Sequence, residues 1–496
     1  MKAPSADLQE PCPDTALRCV SGDQRQASET HVALQETAAR TRDDCLTALT
    51  LPALQFLGGA GTVTGSMYLI RTSAGEILLD CGLFQGLKAL RLRNWGHRVA
   101  NPRGIRAVLL SHAHIDHIGY LPLLVRQGFR GPVYCTPATA DLARVLLPDS
   151  AHLHEEEAER ANRRGYSKHH PALPLYTMAD AAAALELLQE RSFQQPFPVL
   201  PGGTALLRAA GHILGAATMQ LEFDGIRLVY SGDLGRWNQP LLPAPEPVPA
   251  ADVLLLESTY GERTHPAGAA EQLARIVTNT ARRGGMLLIP AFAVDRTQEV
   301  VRLLDQLERE GRIPALPVYL DSPLAIEATE IYARHGAYRM PARYRFARTP
   351  AESKALNDLT GPLIVISASG MATGGRVLHH LAQRLPDERT TVLLVGFQSA
   401  GTRGRRLEEG TREVKMLGRM IPVRARIEKI DALSAHADRD EIMRWLDGFE
   451  RPPRVTYLVH GEPSAASALR DAIRQRFGWN VQVAGDGVSV SLKKPA

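Results

Sequence analysis

Six consecutive residues, His112-Ala113-His114-Ile115-Asp116-His117, hold three imidazoles and one carboxylate. Neutral imidazole nitrogens and carboxylate oxygens are zinc ligands, and the group directly follows the apolar run 107–110, at the C-terminal end of an expected strand. Four donors turning within one short loop cannot all meet a single tetrahedral ion, so division between two ions is the natural geometry. A lone His or Asp elsewhere is usually structural, but three have telling settings. His212 lies between glycines in Gly211-His212-Ile213-Leu214-Gly215. Asp233 follows the apolar run 227–230 in Ser231-Gly232-Asp233-Leu234-Gly235. Asp80 closes a strand in Leu79-Asp80-Cys81-Gly82.

In this order, H-x-H-x-D-H, Gly-His and Ser-Gly-Asp resemble the metallo-β-lactamase superfamily. The resemblance implies an α/β fold, an αββα sandwich, with two zinc ions, Mn²⁺ being an alternative occupant. His112, His114 and His212 would hold one ion and Asp116 and His117 the other, with Asp233 bridging. Asp80 would hydrogen-bond and orient the loop and the bridging solvent, and is counted with Asp116 among the catalytic carboxylates.

That superfamily hosts β-lactamases, thioester and lactone hydrolases, oxygen reductases and nucleases, so the fold names no substrate. Three later features are similar to the β-CASP nucleases: Glu257 in Leu256-Glu257-Ser258-Thr259-Tyr260, His436 in Ser434-Ala435-His436-Ala437-Asp438, and His460 in Leu458-Val459-His460-Gly461-Glu462. Carried over by position, His460 completes the second ion's ligands, His436 is the general acid and Glu257 orients it. A histidine of ordinary pKa, about 6.5, can deliver a proton to a departing ribose alkoxide near neutral pH. The resemblance thus implies a zinc-dependent ribonuclease in which a hydroxide shared by two zincs attacks the RNA phosphodiester in line. A histidine at 460 favours RNA over DNA by the same resemblance, which covers the chain from about Leu54 onward. It is nearest the short bacterial RNA-processing enzymes and the core of polyadenylation-cleavage nucleases. Too few residues follow His460 for the C-terminal domain of ribonuclease J, and the N-terminus gives no sign of a KH domain, so homodimerisation and 5′-end sensing stay open.

The stretch from Ser367 to Arg376 lies between an expected strand and helix, where backbone N–H groups and the helix N-terminus could cradle phosphate. Ser367, Ser369, Gly370, Thr373, Gly374 and Arg376 are the candidate RNA contacts. The loop lacks the GK[ST] ending of a Walker motif. Residues 398–406, with Arg403, Arg405 and Arg406, are a second candidate. His152, His154, His169 and His170 flank an acidic stretch, but side chains two apart on a helix face different sides, and no metal site is expected there.

The elements that must position these groups read as short strands at 55–57, 66–70, 76–80, 107–110, 133–135, 204–207, 219–223, 227–230 and 252–257, with a helix over 179–189. After a Pro- and Ala-rich loop at 240–251 the rhythm changes. Helices over 271–283, 298–309 and 377–385 alternate with strands at 286–290, 317–320, 363–367 and 391–396, as βαβ units of a parallel sheet do. The expected organisation is an extension over 1–50, a metallo-β-lactamase part over 51–260, an inserted α/β β-CASP domain over 261–425 and a returning part over 426–496.

Hydrophobic content of 44% and charged content of 22% are those of a globular chain, and a net charge of +5 points only weakly to an anionic partner. Cys12, Cys19, Cys45, Cys81 and Cys135 form no CxxC pair and are read as reduced thiols. The N-terminus has no apolar signal core and no apolar run is long enough for a membrane span, so a cytoplasmic protein with no membrane partner is expected, and the resemblance implies RNA as its partner. Two other readings remain at this level: a small-molecule metallohydrolase for a lactone or thioester, and a non-catalytic RNA-binding scaffold.

Overall fold

The computed structural model describes residues 51–493; the extension expected over 1–50, with Cys12, Cys19 and Cys45, lies outside them. Two seven-stranded sheets face each other. The first runs Ser489–Ser491, Ala53–Gly58, Met67–Thr72, Gly75–Leu79, Ile105–Leu109, Val133–Cys135, Leu188–Glu190. The second runs Val481–Val483, Val455–Val459, Val253–Glu257, Ile226–Tyr230, Ala217–Phe223, Gly203–Ala209, Phe197–Leu200.

Period-two alternation divides each strand between two cores. Tyr68, Ile70, Ile77 and Leu79 point between the sheets to meet Leu207, Met219, Tyr230 and Leu255. Met67, Leu69, Leu78 and Val108 point outward, beneath the helices Leu121–Arg126, Pro137–Arg164 and Met178–Leu185. On the far side Arg439–Leu446 and Pro463–Phe477 cover the second sheet through Ile442, Trp445, Leu469 and Ile473. This is the αββα sandwich.

A third sheet is wholly parallel, in the order Arg345–Phe346, Val318–Leu320, Leu363–Ser367, Met286–Pro290, Thr391–Leu394, Arg426–Lys429. Its central strands Met286–Pro290 and Leu363–Ser367 are buried at every position, because helices cover both faces. Its last strand, Arg-Ile-Glu-Lys at 426–429, lies beyond the boundary expected at 425; with one apolar residue it carries no strand signal in the sequence. The helix expected over 179–189 is also corrected. A capping box of Thr177 and Asp180 starts it, it ends at Leu185, and Leu188–Glu190 becomes an edge strand beside Val133–Cys135. Ala, Leu, Glu and Gln are good helix formers, so the local pattern hides the edge pairing that wins.

The architecture gathers strand C-terminal ends. Asp80 follows Gly75–Leu79, the histidine cluster follows Ile105–Leu109, Asp233 follows Ile226–Tyr230, Glu257 ends Val253–Glu257 and His460 follows Val455–Val459. Arg98 ties the adjoining loops together. Its guanidinium donates to the carbonyls of Gly82 (2.5 Å), Gly65 (2.6 Å) and Leu57 (3.2 Å), and it lies over the rings of Phe84 and Tyr120. Arg98→Ala strands three carbonyls and is expected to destabilise the fold by about 2–3 kcal/mol, read as a lower urea midpoint; an unchanged midpoint would contradict the clamp.

Candidate active site

The loops from those strand ends can approach closely because glycines stand where they touch. A side chain on Gly82 would overlap the carbonyl of Asp116, and one on Gly235 would overlap the carbonyl of Gly211, next to His212. Asp80 and His460 turn the chain with positive φ, 54° and 46°.

Three ring nitrogens converge first. His112 Nε2 is 3.0 Å from His114 Nδ1, which is 3.2 Å from His212 Nε2. Nitrogens bound tetrahedrally to one zinc at about 2.0–2.1 Å lie roughly 3.3 Å apart, so the spacing is that of ligands around an ion. With Asp233 they form one set able to hold a metal; Asp116, His117 and His460 form a second. Asp233 Oδ2 lies between the sets, 3.5 Å from His112 Nε2, 3.6 Å from His212 Nε2, 3.3 Å from His117 Nε2 and 3.7 Å from His460 Nε2. His117 Nε2 and Asp233 Oδ1 are buried and take no hydrogen bond among the described residues, which suits a cation at the centre.

The electrostatics agree. Burial pushes the pKa values of His112 and His212 well below the ordinary value, that of His114 down to about 3 and that of His460 down to about 4, leaving neutral rings with lone pairs to offer. Burial also opposes charge on His117, but Asp233 and Asp80 outweigh it and raise its pKa well above the ordinary value. At Asp233 burial is outweighed by His117, His460 and His112, which hold the carboxyl well below the usual range.

Behind this layer stand residues that fix several of the rings. Asp80, fully buried, accepts from Ser111 N and Ser111 Oγ, from Tyr230 Oη and from His117 Nδ1, each at 2.7 Å, turning His117 Nε2 inward. Asp80 therefore acts through His117 and the loop. Ser66 Oγ lies 2.8 Å from His460 Nδ1, and Ser66 N donates to the carbonyl of Asp116 at 2.9 Å, so one serine ties two donors of the second set. Ser66, Ser111 and Tyr230 escaped the sequence reading. The signals available were the Thr-Gly-Ser turn before a strand, the position beside His112 and the inward place of Tyr230 at its strand end.

His436 could also join Asp233 and His460 around an ion, but its Nδ1 faces a carboxylate of its own. Its Nδ1 is 3.2 Å and 3.3 Å from the two oxygens of Glu257, while Nε2 takes no hydrogen bond among the described residues. Glu257 is held in turn by the backbone N–H of Leu234 at 2.6 Å and of Thr259 at 3.4 Å. His265, also missed, bonds through Nε2 to the carbonyl of His436 at 2.9 Å, and its N–H donates to Asp438 at 2.7 Å.

Two of the candidate RNA contacts are engaged within the fold. The Ser367 hydroxyl is buried and donates to the carbonyl of Asp321, and the Arg376 guanidinium is spent on the Asp321 carboxylate (2.8 Å) and the carbonyls of Ala347 and Arg348. Ser369 and Thr373 bond each other at 2.9 Å on the loop surface, Gly370 is buried against Phe292 and Gly374 is open. Arg403 and Arg405 also serve the fold, Arg403 donating to the carbonyls of Lys415, Ala372 and Thr373 and Arg405 to Glu409 and the carbonyl of Gln398. His154 packs against Tyr176, and exposed His152 faces Glu156.

Residues 76–310 match the family model described as a Beta-lactamase superfamily domain, 297–407 the Beta-Casp domain, and 420–484 the Zn-dependent metallo-hydrolase RNA specificity domain. The chain is 36% identical over 453 residues to Ribonuclease TTHA0252 of Thermus thermophilus, covering 87% of this chain and 99% of that protein. It is 31% identical to transcription termination factor FttA of Methanosarcina mazei, over 85% of this chain and 68% of that one. It is 30% identical to an RNase J-like protein of Methanocaldococcus jannaschii, over 82% and 92%.

Ser66→Ala frees the His460 ring and is expected to weaken metal retention about tenfold in a chelator titration, with the fold intact. Unchanged retention would contradict an orienting role for Ser66.

Proposed function

We propose that this chain, a hydrolytic enzyme belonging to the β-CASP family of metallo-β-lactamase-fold ribonucleases, cuts RNA with two zinc ions held around Asp233 and with His436 as the general acid. His112, His114 and His212 would hold one ion, Asp116, His117 and His460 the other, and Asp233 both. When bound, such ions polarise the phosphoryl oxygens as Lewis acids and acidify the attacking water. Mn²⁺ would suit the same donors less well, since imidazole-rich sets favour zinc.

The observation that carries this reading is the Glu257–His436 pair beside the ligand sets. Breaking a phosphodiester expels a ribose alkoxide, which needs a proton as it leaves, whereas a cluster of ligands alone supplies none. Glu257 takes the Nδ1 hydrogen of His436 and so leaves the Nε2 proton for the departing oxygen. Burial disfavours the charged ring, but Glu257, Asp233 and Asp116 outweigh it and raise the His436 pKa, keeping the acid form populated. Glu257 accepts the backbone N–H groups of Leu234 and Thr259, which fix its carboxylate against His436, and it is a positioning residue. Among the described residues no helix is long and apolar enough to cross a membrane.

His436→Ala is expected to slow RNA cleavage by about 10²–10⁴-fold with metal content unchanged, measured on labelled RNA alongside elemental analysis. Cleavage at the original rate, or ester turnover by a wild-type protein that leaves RNA intact, would overturn the proposal.

A further inference from the structure

From residue 81 to 115 the chain carries no Asp or Glu and six basic side chains: Lys88, Arg91, Arg93, Arg98, Arg103 and Arg106. Arg98 is consumed by the loop clamp described above. The others pose a question the metal chemistry does not answer, because this stretch links Asp80 to the histidine cluster and begins at the site itself. Gly82 packs on the carbonyl of Asp116, and Leu83 N donates to the carbonyl of Ile115 at 3.0 Å.

From there the backbone runs outward to the third-sheet part of the molecule. A Cβ on Gly86 would stand 2.7 Å from the carbonyl of Ala400, and one on Gly401 would stand 3.0 Å from Leu87. Arg403, two residues on, supports the glycine-rich loop through the carbonyls of Ala372 and Thr373. Its pKa is lowered by burial and by the charge of Arg91, which places Arg91 in the same neighbourhood. Gly86 and Leu87 therefore meet the segment 400–401, Arg91 stays near Arg403, and residues 88–97 continue from that contact as a lip on the sandwich.

This lip is unusual in what it shows to solvent. Trp95 is 57% exposed and Leu92 58%, large apolar groups that a core would normally take. Lys88 has no hydrogen bond or ion pair among the described residues, and Arg91 bonds only the carbonyl of Gly86, at 3.1 Å. Arg93 is the exception, paired with Asp486 and stacked on Phe84. An exposed indole four and seven residues along the chain from two cations without carboxylate partners matches a single-stranded nucleic acid. Bases stack on an aromatic face whatever their identity, and phosphates pair with Lys and Arg while releasing counterions. A second copy of the chain fits less well, because a two-fold contact over Trp95 would set Lys88 and Arg91 against their own copies.

We propose that residues 87–97 form a sequence-independent contact surface for single-stranded RNA outside the metal cluster, where Trp95 stacks a base and Lys88 and Arg91 neutralise phosphates of the strand continuing from the cleft. The inference rests on RNA being the substrate. It makes this lip a length gauge: an RNA long enough to reach it binds more tightly, and a small diester does not sense it.

The test uses the full chain with Trp95→Ala, Trp95→Phe and the double variant Lys88→Ala/Arg91→Ala. Binding of a labelled single-stranded RNA of about 20 nucleotides is measured against salt, and hydrolysis of bis(p-nitrophenyl) phosphate serves as a substrate too small to reach the lip. Trp95→Ala should weaken RNA binding about tenfold, with recovery in Trp95→Phe. The double variant should lower the slope of log affinity against log salt by about 1.4, or roughly 0.7 for each phosphate that is no longer neutralised. Small-diester hydrolysis should stay unchanged in all three. Unaltered RNA affinity and salt slope would overturn the proposal, as would a Trp95→Ala variant that changes only from dimer to monomer. A wild-type protein that neither binds nor cuts RNA would overturn the substrate reading as well, and so be told apart from failure of the lip alone.

Discussion

One carboxylate oxygen organises the centre of this molecule. Asp233 Oδ2 lies 3.3–3.9 Å from ring nitrogens of His112, His117, His212, His436 and His460, and all but His436 are buried with it. Neutral imidazoles whose lone pairs face one another and an anion have no reason to converge away from water unless positive charge sits among them. The fold accepts that constraint by bringing strand ends from two different sheets to one edge. Neither sheet alone contributes enough donors.

The convergence is supported by partners that grip four of the rings from behind. Asp80 takes Nδ1 of His117, Ser66 that of His460, Ser111 that of His112 and Glu257 that of His436, so each of these four rings turns its Nε2 inward. Carboxylate and hydroxyl supports are not equivalent. Asp80 and Glu257 favour charge on their rings, and His117 and His436 are the two whose pKa values rise, while the serine-held His112 and His460 stay neutral. The same ring type therefore carries two kinds of support, and among the described residues His436 alone pairs a carboxylate with a free Nε2 outside the proposed ligands.

Much of this was legible in the sequence where chemistry is local. His112, His114, Asp116 and His117 announce themselves by spacing, and His212 and Asp233 by their glycine-flanked turns after strands. Glu257, His436 and His460 are far apart in the chain and became readable only as ordered motifs. Burial and side-chain direction were not readable: Ser367 and Arg376 look like loop residues facing a ligand, yet both serve Asp321 within the fold. Nor does sequence separation of 394 residues suggest that Ser66 reaches His460. Edge strands such as Leu188–Glu190 and Arg426–Lys429 exist because a neighbouring strand offers hydrogen bonds, and their own residues barely encode them.

Positive charge at the centre of the cluster is what every other feature of the site depends on. Anomalous diffraction at the zinc edge, on crystals of the full chain grown with zinc, tests it directly. Two peaks about 3.5–4 Å apart are expected, one among His112, His114 and His212, the other among Asp116, His117 and His460, with Asp233 between them. A single peak, or an RNA-cleaving protein with neither position occupied, would contradict it.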